Sequence, residues 1–374
     1  MRILIAPNAM KGSLPATEFA KAISEGLQLA DNSIETIQKP LADGGDGTNE
    51  LLIKALNGEF IPVKVHDPLG RLIDCRFGWL SEKKCAIIEM AEPSGLKLLA
   101  NHELNPMVAS SIGTGELVRS AIMYGAQEII LGIGGSATVD GGIGMLKGLG
   151  FLLTDSSGVE IPQGGNGLIH VAHIIKDNVD HNTLNCKIVI ATDVTNPLTG
   201  KEGAATVYGP QKGATPKMVE ELEAGFLNYL SVLEHYSHKN LADLEGGGAA
   251  GGIAVPLVAL LGARIVSGAE FVIDLLGVLD DIRNCDLVIT GEGCVDIQTC
   301  QGKGPAVIAR AANESGIPVI ALGGAVGQEA SELFDGIFSI TNGPMSLQKS
   351  MQDSYNLTKS AAFQLGRFLK SISK

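Results

Sequence analysis

Three glycine-rich stretches studded with carboxylates and hydroxyls limit what this chain can fold into. They are Asp43-Gly44-Gly45-Asp46-Gly47-Thr48, Gly132-Ile133-Gly134-Gly135-Ser136-Ala137-Thr138-Val139-Asp140-Gly141-Gly142, and Gly291-Glu292-Gly293-Cys294-Val295-Asp296, with Lys303 beyond the last. Glycine has no Cβ, so backbone N–H groups there can approach a polyanion closely. Hydroxyls can join such a cradle. Carboxylates cannot bind phosphate themselves, and beside a cradle they point to a metal ion or a proton acceptor. Together the stretches predict phosphate handling with Mg²⁺.

Periodicity places them at the junctions of an α/β fold. Residues 2–6 read as a buried strand, and Pro15 suits the first turn of the helix that Phe19, Ile23 and Leu27 then mark out. Gly26 and Asp31-Asn32-Ser33 read as its exit. A second strand over 34–41 ends near Asp43, and a helix follows over 48–56. This opening predicts a doubly wound half. Past Gly58 the texture changes: residues 59–90 alternate apolar and polar, with a turn at Asp67-Pro68-Leu69-Gly70, as in an antiparallel hairpin. After residues 246–252 the βα texture returns, with a strand over 286–290 opening onto Gly291, a helix over 303–314 and a terminal helix marked by Ala361, Leu365, Phe368 and Ile372. The expected architecture is α/β: a Rossmann-like doubly wound parallel-sheet domain from residues 1–58 plus 262–374, an inserted mixed-sheet α/β domain over 59–261, and a ligand cleft between them.

The 374 residues suit two domains. A net charge of −13 with no long basic run argues against nucleic acid and anionic membrane surfaces as partners. Aromatic residues, at 4%, are too few for a base-stacking platform. Anionic ligands must therefore be met by local donors such as Lys11, Lys212, Lys303, Arg264 and backbone amides. The six cysteines show no Cys-x-x-Cys spacing, which reads as reduced thiols in a cytoplasmic protein. The apolar run after Met1 is too short for a signal peptide, and the stretch from Ile253 to Leu261 is broken by Pro256 and reads as a core helix.

Particular residues carry the chemistry. Lys11 and Ser13 follow the first strand, where open α/β sheets bind ligands; Ser13 is also placed to cap the next helix. Asp43 and Asp46 can share a cation, although Asp and Gly also build plain turns. Gly132, Gly134, Gly135, Ser136 and Thr138 resemble a phosphate nest, without a Walker lysine or a dinucleotide fingerprint. Asp193 ends a buried strand, where a base or metal ligand fits, and Lys212 adds a cation to a tight turn. Glu292 and Asp296 gather with Gln298, Thr299 and Lys303 within twelve residues. His170/His173 and His235/His238 lack zinc-site companions and read as surface histidines.

In order and spacing, these strings resemble the type I glycerate kinase family of bacteria. The matching series runs from Lys11-Gly12-Ser13-Leu14 through Pro40-Leu41-Ala42-Asp43-Gly44-Gly45-Asp46-Gly47-Thr48, Gly113-Thr114-Gly115-Glu116-Leu117 and Gly132-Ile133-Gly134-Gly135-Ser136. It continues through Thr192-Asp193-Val194-Thr195-Asn196-Pro197-Leu198, Gly209-Pro210-Gln211-Lys212-Gly213 and Ile289-Thr290-Gly291-Glu292-Gly293 to Gly302-Lys303. Two departures stand out: Asn8-Ala9-Met10 replaces the commoner Asp-Ser-Phe, and Cys294 stands where the family usually has arginine. The resemblance implies ATP-dependent phosphorylation of (R)-glycerate to 2-phosphoglycerate; some relatives make the 3-phosphate. A homodimer is compatible with it. In that setting we expect the 132–138 nest to cradle ATP, with Lys11 or Lys303 facing phosphate or the glycerate carboxylate. Asp43 or Asp46 would hold Mg²⁺ and Asp193 would act as base, with Glu292 and Asp296 able to exchange roles with it. A non-catalytic nucleotide sensor fits the many carboxylates poorly, and a nicotinamide dehydrogenase lacks its fingerprint.

Overall fold

The computed structural model describes residues 1–42, 47–300, 304–327, 330 and 332–372. Its strands are β1 (Arg2–Ile5), β2 (Glu35–Gln38), β3 (Glu59–His66), β4 (Leu72–Leu80), β5 (Cys85–Glu89), β6 (Glu128–Gly132), β7 (Leu152–Thr154), β8 (His173–Ile175), β9 (Lys187–Ala191), β10 (Arg264–Val266), β11 (Leu287–Val295), β12 (Val319–Val326) and β13 (Gly336–Ser339). The chain divides into two compact units, Met1–Asp43 with Ala269–Lys374, and Gly44–Gly268.

The first unit holds an all-parallel sheet in the order β13-β12-β11-β1-β2. Alternation along buried strands puts Ile3, Ile5, Leu287, Ile289, Ile320 and Leu322 on one face, packed with Phe19, Ile23, Leu27, Leu357 and Leu369 of helices Ala16–Ala30 and Ser354–Ile372. Leu4, Val288, Val319 and Ala321 are equally buried at the intervening positions. Helix Gly304–Glu314 packs against β11 and β12, with Ala306, Ile308, Ala309 and Ala312 buried. Sheet faces covered by helices are what near-continuous apolar strands predict. Gly26 is not the helix exit: it lies inside helix Ala16–Ala30, where a Cβ would meet the Lys359 carbonyl and Ala362, so it lets the two helices pack closely.

The second unit is built on a mixed sheet, β10-β9-β6-β5-β4-β3, with the small antiparallel pair β7-β8 beside it in sequence. β3 and β4 form the expected hairpin, and β4 pairs antiparallel with β5. β5, β6, β9 and β10 run parallel. The unit's core gathers Phe77, Leu117, Ile129, Leu131, Ile143, Leu146, Phe226, Tyr229 and Leu257, each at most 1% exposed. Among the described residues, no helix is long and apolar enough to cross a membrane.

Candidate active site

In the second unit, register lines up the last residues of four parallel strands. Glu89 pairs with Gly132, Gly132 with Ala191, and Ala191 with Val266. Ligands of parallel sheets bind beyond such carboxyl ends. Past this row come the nest after Gly132, Asp193 two residues after Ala191, and Ser267 directly after Val266. Adjacent strands lie about 4.8 Å apart, so the nest and Asp193 leave the sheet as neighbours. The Ser267 hydroxyl donates to Asp193 Oδ1 at 2.9 Å, and Asp193 is exposed.

The nest is held firmly from its own unit. Gly132 O accepts from Met90 N at 2.8 Å, Gly135 O accepts from Leu96 N at 2.9 Å, and Ala137 N donates to Ser94 O at 2.9 Å. Gly135 turns the chain with φ +72°, a left-handed value that glycine adopts without Cβ strain. Lys212, only 3% exposed, donates from Nζ to Ser136 Oγ and to Thr138 O, both at 2.8 Å. Burial pulls its amine down to about 7, against the opposing pull of Asp140. Asp140 is fully buried and accepts from Ser111 N and Ser111 Oγ at 2.8 Å, Gly142 N at 3.1 Å and Gly144 N at 3.2 Å. Desolvation raises its carboxyl above the ordinary range, although these four bonds pull the other way. The Thr138 hydroxyl is buried and has no partner.

Glu89 closes the row at its other side. It is 5% exposed, and its Oε1 accepts from Asn49 N at 2.6 Å while Oε2 lies 3.4 Å from Gly47 N. It thus receives the amino end of helix Thr48–Ala55, where unpaired N–H groups favour an anion. Asp43 and Asp46, expected to hold the metal, lie outside the described residues, as does Lys303. Among the described residues no group of three or more His, Cys, Asp or Glu could cage a metal ion.

In the first unit the Gly291 stretch is not a loop. β11 continues through Glu292 to Val295, with Glu292 paired to Gly323 of β12. A Cβ on Gly291 would strike the Leu322 carbonyl, so this glycine serves close strand packing. Glu292, 7% exposed, accepts from Thr299 Oγ1 at 2.7 Å, and Asp296 Oδ2 accepts from Cys294 Sγ at 3.1 Å. Lys11 is exposed on a turn closed by Met10 N to Leu14 O at 2.9 Å; a Cβ on Gly293 would sit 3.7 Å from Lys11 N. Ser13 does not cap the helix: its hydroxyl donates to Met351 O at 2.9 Å, and Pro15 is the N-cap without a side-chain bond. Asn8, 6% exposed, accepts from Ala9 N at 2.8 Å through Oδ1. It offers the acceptor oxygen of an aspartate without the charge. All four histidines of the two sequence pairs are exposed.

Sequence reasoning passed over Glu89, Ser111 and Ser267 and gave Asp140 no role of its own. Glu89 had a visible signal, a carboxylate ending the buried run Cys85-Ala86-Ile87-Ile88, as Asp193 follows its own. Ser111 and Ser267 had none, because their roles arise from strands and helices distant in sequence.

The model of the glycerate kinase family matches residues 3–370. The chain is 41% identical over 364 residues to the glycerate kinase of Halalkalibacterium halodurans, covering 96% of each chain. It is 40% identical over 360 residues to the glycerate 2-kinase of Escherichia coli, covering 95% of this chain and 94% of that one. A crystal structure from Salmonella typhimurium LT2, assigned as glycerate kinase 2, superposes with a TM-score of 0.90 at 40% identity over 100% of this chain and 99% of that one. The chain belongs to the glycerate kinase family.

Proposed function

We propose that this kinase transfers the terminal phosphoryl group of ATP to (R)-glycerate, giving 2-phosphoglycerate and ADP. The observation that carries this reading is the 40% identity, over nearly the whole of both chains, to the Escherichia coli protein named glycerate 2-kinase. The strand-end row supplies the chemistry such a transfer asks for, which is mainly alignment and charge neutralisation.

Gly132, Gly134 and Gly135, with Ser136, cradle the nucleotide phosphates, and the buried Thr138 shapes the loop behind them. Asp193 takes the proton of the attacking hydroxyl. Its exposure and its place beside the nest favour it over Glu292, which is buried against the Thr299 hydroxyl. We assign Lys11 or Lys303 the binding of phosphate or the glycerate carboxylate; Glu292 with Asp296 orders the end of β11 around Thr299. Mg²⁺ commonly uses one or two carboxylates plus substrate phosphates rather than an all-protein cage. On the pairing of two carboxylates in the Asp43-Gly44-Gly45-Asp46 string, we assign the ion to Asp43 or Asp46. When bound it neutralises charge on the phosphates. None of the six cysteines is in a disulfide, which fits a reducing compartment, and we place the protein in the cytoplasm.

A coupled ADP-release assay with (R)-glycerate, (S)-glycerate, glycerol and lactate tests the reading. Turnover confined to (R)-glycerate supports it. ADP release that is indifferent to glycerate contradicts it.

A further inference from the structure

The amine of Lys212 is a buried cation in the second unit, and burying it is costly. It is nine-tenths buried and more, on a turn closed by Lys212 N to Gly209 O at 2.9 Å and Gly213 N to Pro210 O at 3.1 Å. That turn is itself wedged in place, since a Cβ on Gly213 would strike the Leu104 carbonyl. Burying a lysine amine costs free energy that a methionine of similar length would not. Stability alone does not account for a lysine here.

Its two bonds account for it. Both go to the nest, one to the Ser136 hydroxyl and one to the Thr138 carbonyl. Asp140, two residues further on, ties the same segment to Ser111 at the start of helix Ile112–Tyr124. The Thr138 hydroxyl between them is buried and unpartnered. A buried, unpartnered hydroxyl in a segment held at Gly135 O, Ala137 N and Thr138 O calls for an explanation beyond the segment's own hydrogen bonding.

We propose that Lys212 is a positioning residue for polyphosphate binding: from beneath the nest it fixes the Ser136 hydroxyl and the Thr138 carbonyl, so that the loop keeps one shape for the phosphates of ATP. The proposal rests on the reading that the 132–138 nest receives the nucleotide. It changes the role expected of Lys212 from a phosphate contact to a support that acts through Ser136 and Thr138.

The test compares the full chain with Lys212→Met, Ser136→Ala and the double variant. Calorimetry measures affinity for the β,γ-imido analogue of ATP with Mg²⁺, and steady-state assays give KM for ATP and for glycerate. Lys212→Met should weaken analogue binding and raise KM for ATP about 10- to 100-fold, the range for hydrogen bonds to charged groups. KM for glycerate should stay within about twofold. Because Lys212 acts through Ser136, the double variant should be little worse than Lys212→Met alone. Unchanged analogue affinity in Lys212→Met overturns the proposal, as do equal rises in both KM values or effects that simply add. If Lys212→Met does not fold, Lys212→Gln is read by the same split. A wild-type chain that binds no analogue instead defeats the nucleotide assignment of the nest.

Discussion

The Gly132–Gly142 and Gly291–Asp296 stretches look alike in sequence and are built for opposite purposes. In the second unit, glycines turn a loop beyond a strand row, with Gly135 at φ +72° and a buried lysine and aspartate anchoring it. In the first unit, Gly291 and Gly293 lie inside a strand; the missing Cβ of Gly291 makes room for the Leu322 carbonyl, whereas a Cβ on Gly293 would meet the Lys11 turn at ordinary contact distance. One stretch is an anchored loop, the shape our proposal assigns to phosphate binding. The other brings a buried carboxylate, Glu292, to the end of a close-packed sheet. Glycine next to a carboxylate therefore predicts a functional edge, and only the neighbouring strands decide whether it is a cradle or a packed support.

Substitution of carboxylates gives the sharpest break in that comparison. Asp193→Asn should lower kcat about 10²- to 10⁴-fold, the range for loss of a general base, with thermal stability close to wild type because the side chain is exposed. Glu292→Gln should act the other way round, losing stability by about 1–3 kcal/mol as a buried hydrogen-bonded group is altered and retaining more activity than Asp193→Asn. Steady-state kinetics beside thermal melts read both; the reverse ranking would hand the role of base to Glu292.

The glycines come next. Gly291→Ala should destabilise by about 1–3 kcal/mol through overpacking against β12, visible as a lower melting temperature in a denaturation scan. Gly135→Ala should cost about 1–2 kcal/mol for its left-handed backbone and should also weaken nucleotide binding. Activity loss on Gly291→Ala without loss of stability would show that the Gly291–Asp296 stretch is a cradle after all.

Lys212 supplies a pH test. Its amine ionises near 7 when folded and near ~10.4 when unfolded. Between these values the unfolded chain holds more protons, so this group makes stability rise with pH over that window. Lys212→Met should remove the rise, and its gain over wild type should be greatest below about pH 7. Melting temperatures of both proteins from about pH 6 to pH 9 check the sign.

The smallest effect concerns thiols. Cys75 and Cys85 are pushed by burial to about 12 and Cys186 to about 11, whereas Cys294 is exposed and Cys300 half-buried. A thiol-labelling time course should show Cys294 and Cys300 reacting first and the buried ones only on unfolding.

Strand alternation and helical spacing made the two α/β sheets legible before any coordinates, because apolar periodicity reports burial directly. Asp193 and the nest were legible because each follows an apolar run. The continuation of β11 past Gly291 was not: pairing with Gly323 and Ala325 of β12 carries the strand on, and that partner is some thirty residues away in sequence. Ser13 was misread for the same reason, its hydroxyl being claimed by Met351 from the far end of the chain. The support of the nest by Lys212 joins positions 76 and 74 residues apart, which no local pattern carries.

Product identity tests the account most directly. With purified protein, ATP, Mg²⁺ and (R)-glycerate, ³¹P NMR of the reaction should show 2-phosphoglycerate growing in step with ADP. A 3-phosphoglycerate resonance, or ADP formed with inorganic phosphate and no phosphorylated glycerate, would contradict it.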